Sequence, residues 1–459
     1  MSPDREAVVW TRLGGMPVKM GRLLVTDREC RFTYTGEFIE RGLPGLGLVL
    51  SPAVYGERPI VRRRTERFDL LPPLQALVPP RDRGNFQRNL ALRYLQARGH
   101  GKLEGFDADW AILMVAGHGG IGHLDVFEDD EAAHAWYEWP RPHRFVSLDR
   151  ARPLSFRQFL AWFDEEADLL LQLIGPTPSI GGAIPKLLVS IPETGWDGRI
   201  GPPTREPVAG VLDVVLKFEQ TATYPGIVEL EALALDMHAR LGFDVPRHWQ
   251  IDLDGVPALA VERFDRDAHH RPRFVESLFS VIASGNPDLR HHYDFTYDGL
   301  ARALGIPELP LVSDTEAARV HLFRRLVAAL VTGNGDLHLE NLSLWQVEDG
   351  RLAFSPVYDP TPMRAYPIHD LLNAMPFGRY GEYVTGREQP VGFDEALQRF
   401  ARACGLGRRE ACDLVHEILE QAADYPDRIE ALKRLPGENK AQLIAVHRRM
   451  RDMLASALD

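Results

Sequence analysis

The sequence is poor in the features of secreted, membrane-bound and polyanion-wrapping proteins. Its 459 residues include three cysteines, Cys30, Cys404 and Cys412, too few for a disulfide framework, and neither their odd number nor their spacing suggests a zinc site. We read all three as reduced packing residues. No uncharged apolar stretch reaches the roughly 18 residues of a spanning helix, and the start, MSPDREAVVW, lacks a cationic segment followed by an apolar core. The cytoplasm is the expected location. Positive charge is outweighed as well: 53 Lys and Arg against 65 Asp and Glu leave a net charge of -12, a poor match to nucleic acid as primary ligand. Internal repeats and low-complexity segments are missing, and no segment has the spacing of a Walker A loop.

What is present is a globular composition, 45% hydrophobic and 26% charged, on a chain long enough for two or three packed units. Residues 8–55 alternate apolar and polar in stretches such as VVWTRLG and CRFTYTG, the pattern of short antiparallel strands. From Arg62 to Lys102 arginines are frequent (Arg62, Arg63, Arg64, Arg81, Arg83, Arg88, Arg93, Arg98), around the helical NFQRNLALRYLQARG. A solvated face is the ordinary reading of such a run, and a patch for an anionic partner the sharper one. DWAILMVAGHGGIGHLDVF reads as two strands around a glycine-rich turn, and the acidic, proline-bearing stretch from Glu128 to Pro153 as a linker, with a boundary near 150. Beyond it come SFRQFLAWFDEEADLLLQL at helical spacing, then TPSIGGAIPKLLVSI, a glycine-rich turn joined to a strand. The strand LDVVLKFE, the helix VELEALALDMHARLG with a stop at Gly242, and a hairpin WQIDLDGVPALAVERFD turning at Asp254-Gly255 follow in the order of a kinase small lobe. From about 268 the pattern is mainly helical, in runs such as DTEAARVHLFRRLVAALV and REACDLVHEILEQAAD. The expected fold is therefore α+β, bilobal and protein-kinase-like. It has an amino-terminal subdomain over 1–150, a β-rich small lobe over 151–266 and a helical lobe over 267–459.

The most informative segment is GNGDLHLENLSLW at 333–345. Asp336 precedes Asn341 by five positions, the interval of the kinase catalytic loop, where the Asp orients or deprotonates the attacking hydroxyl and the Asn binds a metal ion. NLSLW, the turn VEDGR and the returning LAFSPVYDP then deliver Asp359 where a kinase metal-binding Asp would stand. Two carboxylates and an amide converging on one point are costly unless a divalent cation neutralises them, which suits magnesium with nucleotide phosphates. The ordinary alternative is a polar turn with incidental acids. His338, in the same loop, is counted with the nucleotide-binding candidates. Lys217 interrupts an apolar strand and is the candidate cation for the phosphates, against the alternative of an edge-strand lysine pointing to water. Its expected partner is Glu231 on the next helix, with Glu229 a competitor. Upstream, Ser179 to Lys186 form a small-residue turn in which the N–H groups around Gly181 and Gly182 can approach phosphate oxygens without Cβ obstruction, though an ordinary hairpin turn is as good a reading of that segment alone. Glu262, Arg263 and Phe264, ending the hairpin, can offer backbone groups to an adenine ring; the alternative is plain strand.

In this order the segments resemble the HipA-like serine/threonine kinases, toxin components of bacterial HipBA toxin-antitoxin systems. TPSIGGAIPK resembles the family's phosphate loop and VVLKF its nucleotide-lysine strand. LEALALDMHARLGFDVP resembles the following helix, ALAVERFDRD the hinge, and GNGDLHLEN with VYDP the catalytic and metal segments. FTYTGEFI and AGHGGIGHLDVFED are similar to its amino-terminal subdomain. The resemblance implies an ATP- and magnesium-dependent protein kinase acting as a growth-inhibiting toxin. Asp336 would be the catalytic base, Asn341 and Asp359 the magnesium ligands and Lys217 the phosphate contact, with Glu262 and Phe264 at the adenine. Ser179 would be autophosphorylated, which ejects the phosphate loop, since a dianion there repels nucleotide phosphates. It also implies a translation component such as glutamate-tRNA ligase as target, and a small HipB-like DNA-binding antitoxin through which the protein meets DNA only indirectly. Two positions depart from the family pattern: Ile184-Pro185-Lys186 where Gln-Glu-Lys is frequent, and Glu340 where a lysine commonly precedes the metal asparagine. The alternatives are a small-molecule kinase of the aminoglycoside or choline type, which shares the Asp and Asn spacing, and a non-catalytic corepressor scaffold.

Overall fold

The computed structural model describes residues 4–82, 84–138, 143–147, 184–220, 222–253, 255–369, 371–382 and 390–457. The chain divides into two compact units, one of residues 1–218, 247–276 and 280–287, the other of residues 219–246, 277–279 and 288–459.

The described residues of the first unit hold three antiparallel sheets, the smallest a two-stranded pairing of Val146–Ser147 with Arg199–Ile200. In the five-stranded sheet, Ile60–Arg63, Glu29–Tyr34, Val18–Val25, Arg5–Thr11 and Asp125–Phe127 lie side by side. Alternation decides which face is buried: Cys30, Phe32 and Tyr34 point into the core while Arg31 and Thr33 are exposed. In the four-stranded sheet the order is His248–Leu253, Val256–Glu262, Val211–Phe218, Lys186–Pro192. Its last two strands are buried at every position, which explains their predominantly apolar composition. Leu253 pairs with Val256 across the turn, where Gly255 has φ +86°, as a two-residue hairpin requires; Asp254 lies outside the described residues.

Three expectations are corrected in this unit. The DWAILMVA run is not a strand but a helix, Gly105–Ala116. Trp110 and Leu113 join the core of the five-stranded sheet, while Ile112 and Ala116 pack with Leu187, Val189 and Leu216 of the other. A helix apolar on two sides has no amphipathic period to betray it, and a short apolar run is ambiguous between strand and buried helix. The supposed linker contains the helix Asp130–Glu138. Ala133, Trp136 and Tyr137 form one face that packs on Val8, Trp10 and Phe127, and Asp130 accepts a hydrogen bond from Trp10 Nε1 at 3.2 Å. The arginine-rich stretch, finally, is neither a solvated face nor an open cationic patch throughout. Arg88 is buried and pairs with the buried Asp109 at 2.7 Å; Arg81 bridges Asp109 and Asp69; Arg64 donates twice to Asp69, at 2.9 and 2.7 Å. Arg63, Arg93 and Arg98 remain exposed. The helix Phe86–Ala97, which carries Arg88, forms where expected, with Asn85 capping it through the Arg88 N–H at 2.9 Å.

The second unit is mainly helical. Helix Ile227–Arg240 is buried along almost its whole length and ends before Gly242, whose φ is +78°. Helices Thr315–Thr332, Phe393–Ala403, Arg408–Gln421 and Gly437–Ala457 pack on one another, and the first of them also lies against Leu352–Phe354, which forms a short hairpin with Ser343–Gln346. Cys30 and Cys404 are buried as expected, whereas Cys412 is half-buried. Among the described residues no helix is long and apolar enough to cross a membrane.

Glu276 makes the first unit sensitive to pH. Its buried carboxyl accepts hydrogen bonds from the Leu48 N–H and the Ser280 hydroxyl, both at 2.7 Å. Burial pushes its pKa from 4.5 up to about 7, against the pull of these two bonds. A carboxyl whose pKa is raised on folding favours the fold while neutral, and that contribution fades as pH rises from 4.5 through 7. Glu276→Gln is therefore expected to raise the thermal midpoint at pH 8 while changing it little at pH 4.5. The free-energy gain is on the order of 2–3 kcal/mol, and melting curves across this pH range measure it.

Candidate active site

The loop bearing Asp336 is positioned by the end of helix Thr315–Thr332. Asp314 caps its start by accepting the Ala317 N–H at 2.9 Å. At the other end the last carbonyls, which no helical N–H can satisfy, accept from side chains: Thr332 O from the Tyr425 hydroxyl at 3.1 Å, Val331 O from His447 Nδ1 at 2.9 Å. Gly333 then turns the chain with φ +79°, and a Cβ there would lie 2.6 Å from Leu443 Cδ1. The loop closes on itself, since Asn334 Oδ1 accepts the Asp336 N–H at 2.9 Å and Asn341 Nδ2 donates to Asp336 O at 2.8 Å. Behind it the buried Tyr358 hydroxyl donates to Glu340 O at 2.6 Å and meets Ser343 Oγ at 2.5 Å. The next residue, Asp359, adopts φ +48°, the left-handed region that a non-glycine residue seldom occupies.

Asp336, Asn341, His338 and Asp359 are thus brought together within the second unit. Loss of hydration is the main force on Asp336, whose side chain keeps 35% exposure; it lifts the carboxyl pKa from 3.8 to about 6. The Tyr293 hydroxyl, donating to Oδ1 at 3.1 Å, and nearby His292 oppose the rise, while the negative charges of Asp359 and Glu340 add to it. Asn341 is buried, and its Oδ1 has no hydrogen-bond partner among the described residues. An orphaned buried amide oxygen costs about 1–3 kcal/mol. Oxygen donors of this type, two carboxylates and an amide, fit magnesium.

The first unit carries the other candidates. Lys217 is not on an edge: its strand lies between Val256–Glu262 and Lys186–Pro192, and the lysine is buried. Lys186, also buried, stands directly opposite it in the antiparallel register. Side chains paired in this way share a face, where like charges repel. The Glu262 carboxylate is clasped by Arg247 at 2.8 and 3.0 Å, and its N–H donates to Arg247 O. Phe264 is half-buried just beyond. Ser179, Gly181 and Gly182 lie outside the described residues.

On helix Ile227–Arg240, Glu229 accepts the N–H groups of Lys433 and Arg434 at 2.9 and 2.7 Å, so its carboxylate is committed to that loop; Glu231 is buried. Sequence reasoning passed over Tyr293 and His292, whose signal is the ring cluster HHY at 291–293. It also passed over the charge alternation around Arg263. Burial pushes Asp265 up, but Arg263 and Arg266 hold its pKa down at about 2, and Asp265 accepts the Gly122 N–H at 2.8 Å. Arg266 Nη1 donates to Gly122 O at 2.9 Å, so the glycine-rich segment 117–122 is gripped by ionic side chains.

Known proteins share features with this chain. A family model described as the HipA-like C-terminal domain matches residues 178–425. "Putative kinase Y4dM" of Sinorhizobium fredii is 33% identical over 215 residues, 43% of this chain and 48% of the relative. A "Putative kinase" of Haemophilus influenzae is 27% identical over 192 residues, 35% of this chain and 53% of the relative. The chain spans about half the length of the curated relatives it matches. A solved Shewanella oneidensis HipA, in a complex with HipB and its operator DNA, superposes with a TM-score of 0.60 at 17% identity, covering 98% of this chain and 97% of that one. The fold is that of HipA: α+β and kinase-like.

Gly333→Ala tests the positioning of the loop. Both the positive φ and the contact with Leu443 oppose a Cβ, and the left-handed conformation alone costs about 1–2 kcal/mol. Chemical denaturation is expected to show a loss of at least that size.

Proposed function

Because the chain belongs to the HipA-like C-terminal domain family, we propose that it is an ATP- and magnesium-dependent serine/threonine protein kinase acting as a HipA-type toxin. The observation that supports this reading most directly is the buried Asn341 Oδ1, without a hydrogen-bond partner among the described residues, in the loop whose amide is tied to the Asp336 backbone. Asn341 and Asp359 would hold magnesium, which when bound neutralises phosphate charge and organises the leaving oxygen. Asp336 orients the attacking hydroxyl and takes its proton. A carboxyl lifted towards neutrality by burial is a better base than an ordinary aspartate while still ionised at neutral pH. Lys217, with Lys186 beside it, supplies positive charge to phosphate oxygens, and Glu262 and Phe264 meet the adenine.

Ser179 is the proposed autophosphorylation site, and a translation component such as glutamate-tRNA ligase the proposed target. The Shewanella HipA complex includes HipB and operator DNA; a HipB-like antitoxin is the corresponding partner proposed here. The net charge of -12 favours contact with DNA through that partner.

The test is to incubate wild type and Asp336→Asn with magnesium-ATP and map modified peptides by mass spectrometry. Phosphate on Ser179 is expected in wild type, with a rate lower by about 10²–10⁴ in the variant. Equal labelling of the two proteins, or none in wild type, contradicts the proposal.

A further inference from the structure

We propose that His292, His338 and Glu340 form a binding site for a borderline transition-metal ion of the zinc or cobalt class, adjoining the all-oxygen set assigned to magnesium but with its own ligands. One donor atom from each of the three lies within 4.8 Å of the others. His292 Nδ1 and Glu340 Oε2 are 3.2 Å apart, close to the separation of about 3.3 Å that two ligands have on a tetrahedral ion with bonds of about 2.0–2.1 Å. The imidazoles of His292 and His338 lie 4.1 Å apart, and Tyr293 packs edge-on against both. The site is largely dry, with side-chain exposures of 18% for His292, 9% for Glu340 and 1% for His338. Two imidazoles and a carboxylate are the ligand set of three-residue zinc sites with an open fourth position; magnesium, which prefers oxygen, does not compete well for it.

Asp336 Oδ1 lies 3.7 Å from His338 Nε2, so an ion held here attracts the carboxylate proposed as catalytic base and inhibits transfer. The binding itself is independent of the kinase reading.

Titrate the full-length protein with Co2+ in the absence of nucleotide, following its visible absorption, and compete with Zn2+. One saturable equivalent with the intense spectrum of four-coordinate cobalt is expected, retained in excess Mg2+ and in Asp359→Ala. His292→Ala and Glu340→Lys are each expected to lose at least tenfold in affinity, with Glu340→Gln as the milder variant should circular dichroism show either misfolded. Octahedral or unsaturable binding, displacement by magnesium, or variants that bind like wild type overturn the site. Intact binding together with unlabelled Ser179 rejects the kinase reading alone.

Discussion

Everything in the second unit turns on holding two like charges near each other in a poorly hydrated loop. Asp336 and Asp359 repel, and burial penalises ionised Asp336, while the Tyr293 hydroxyl and nearby His292 offset part of that penalty. The helix end at Gly333, the two side-chain bonds that close residues 334–341 and the Tyr358 anchor constrain the loop. The left-handed backbone at Asp359 belongs to the same economy: strain at a non-glycine residue persists where neighbouring structure over-determines it, and it collects at functional positions. A loop built this way is unfavourable for its own stability and well suited to a cation.

The first unit poses a matching problem with opposite sign. Lys186 and Lys217, buried and opposite each other, place two positive charges on one face of an interior strand pair. The sheet that carries them is stiffened by the helix Gly105–Ala116 on its face and by the ionic grip of Arg263, Asp265 and Arg266 on the segment 117–122.

Much of this was legible in the sequence, for identifiable reasons. The strands around Lys217 and the hairpin at Gly255 follow from apolar runs and turn chemistry, and the Asp336 to Asn341 interval with the returning strand to Asp359 follows from spacing. The helix Gly105–Ala116 was illegible because burial on two sides erased its period, and Asp130–Glu138 was hidden by the acidic residues around it. The burial of Arg88 and the pairing of Arg64 and Arg81 depend on Asp69 and Asp109, which local charge patterning cannot connect. Lys186 opposite Lys217 is a matter of register, and Tyr293 and His292 reach Asp336 from more than 40 positions away; neither leaves a local pattern.

The most direct measurement of the central claim is the affinity for ATP by calorimetry in magnesium and in EDTA, for wild type and for Asn341→Ala with Asp359→Ala. The account predicts at least tenfold tighter binding with magnesium in wild type, and no magnesium effect in the double variant. Equal affinity in the two buffers for wild type, or an undiminished magnesium effect in the double variant, would contradict it.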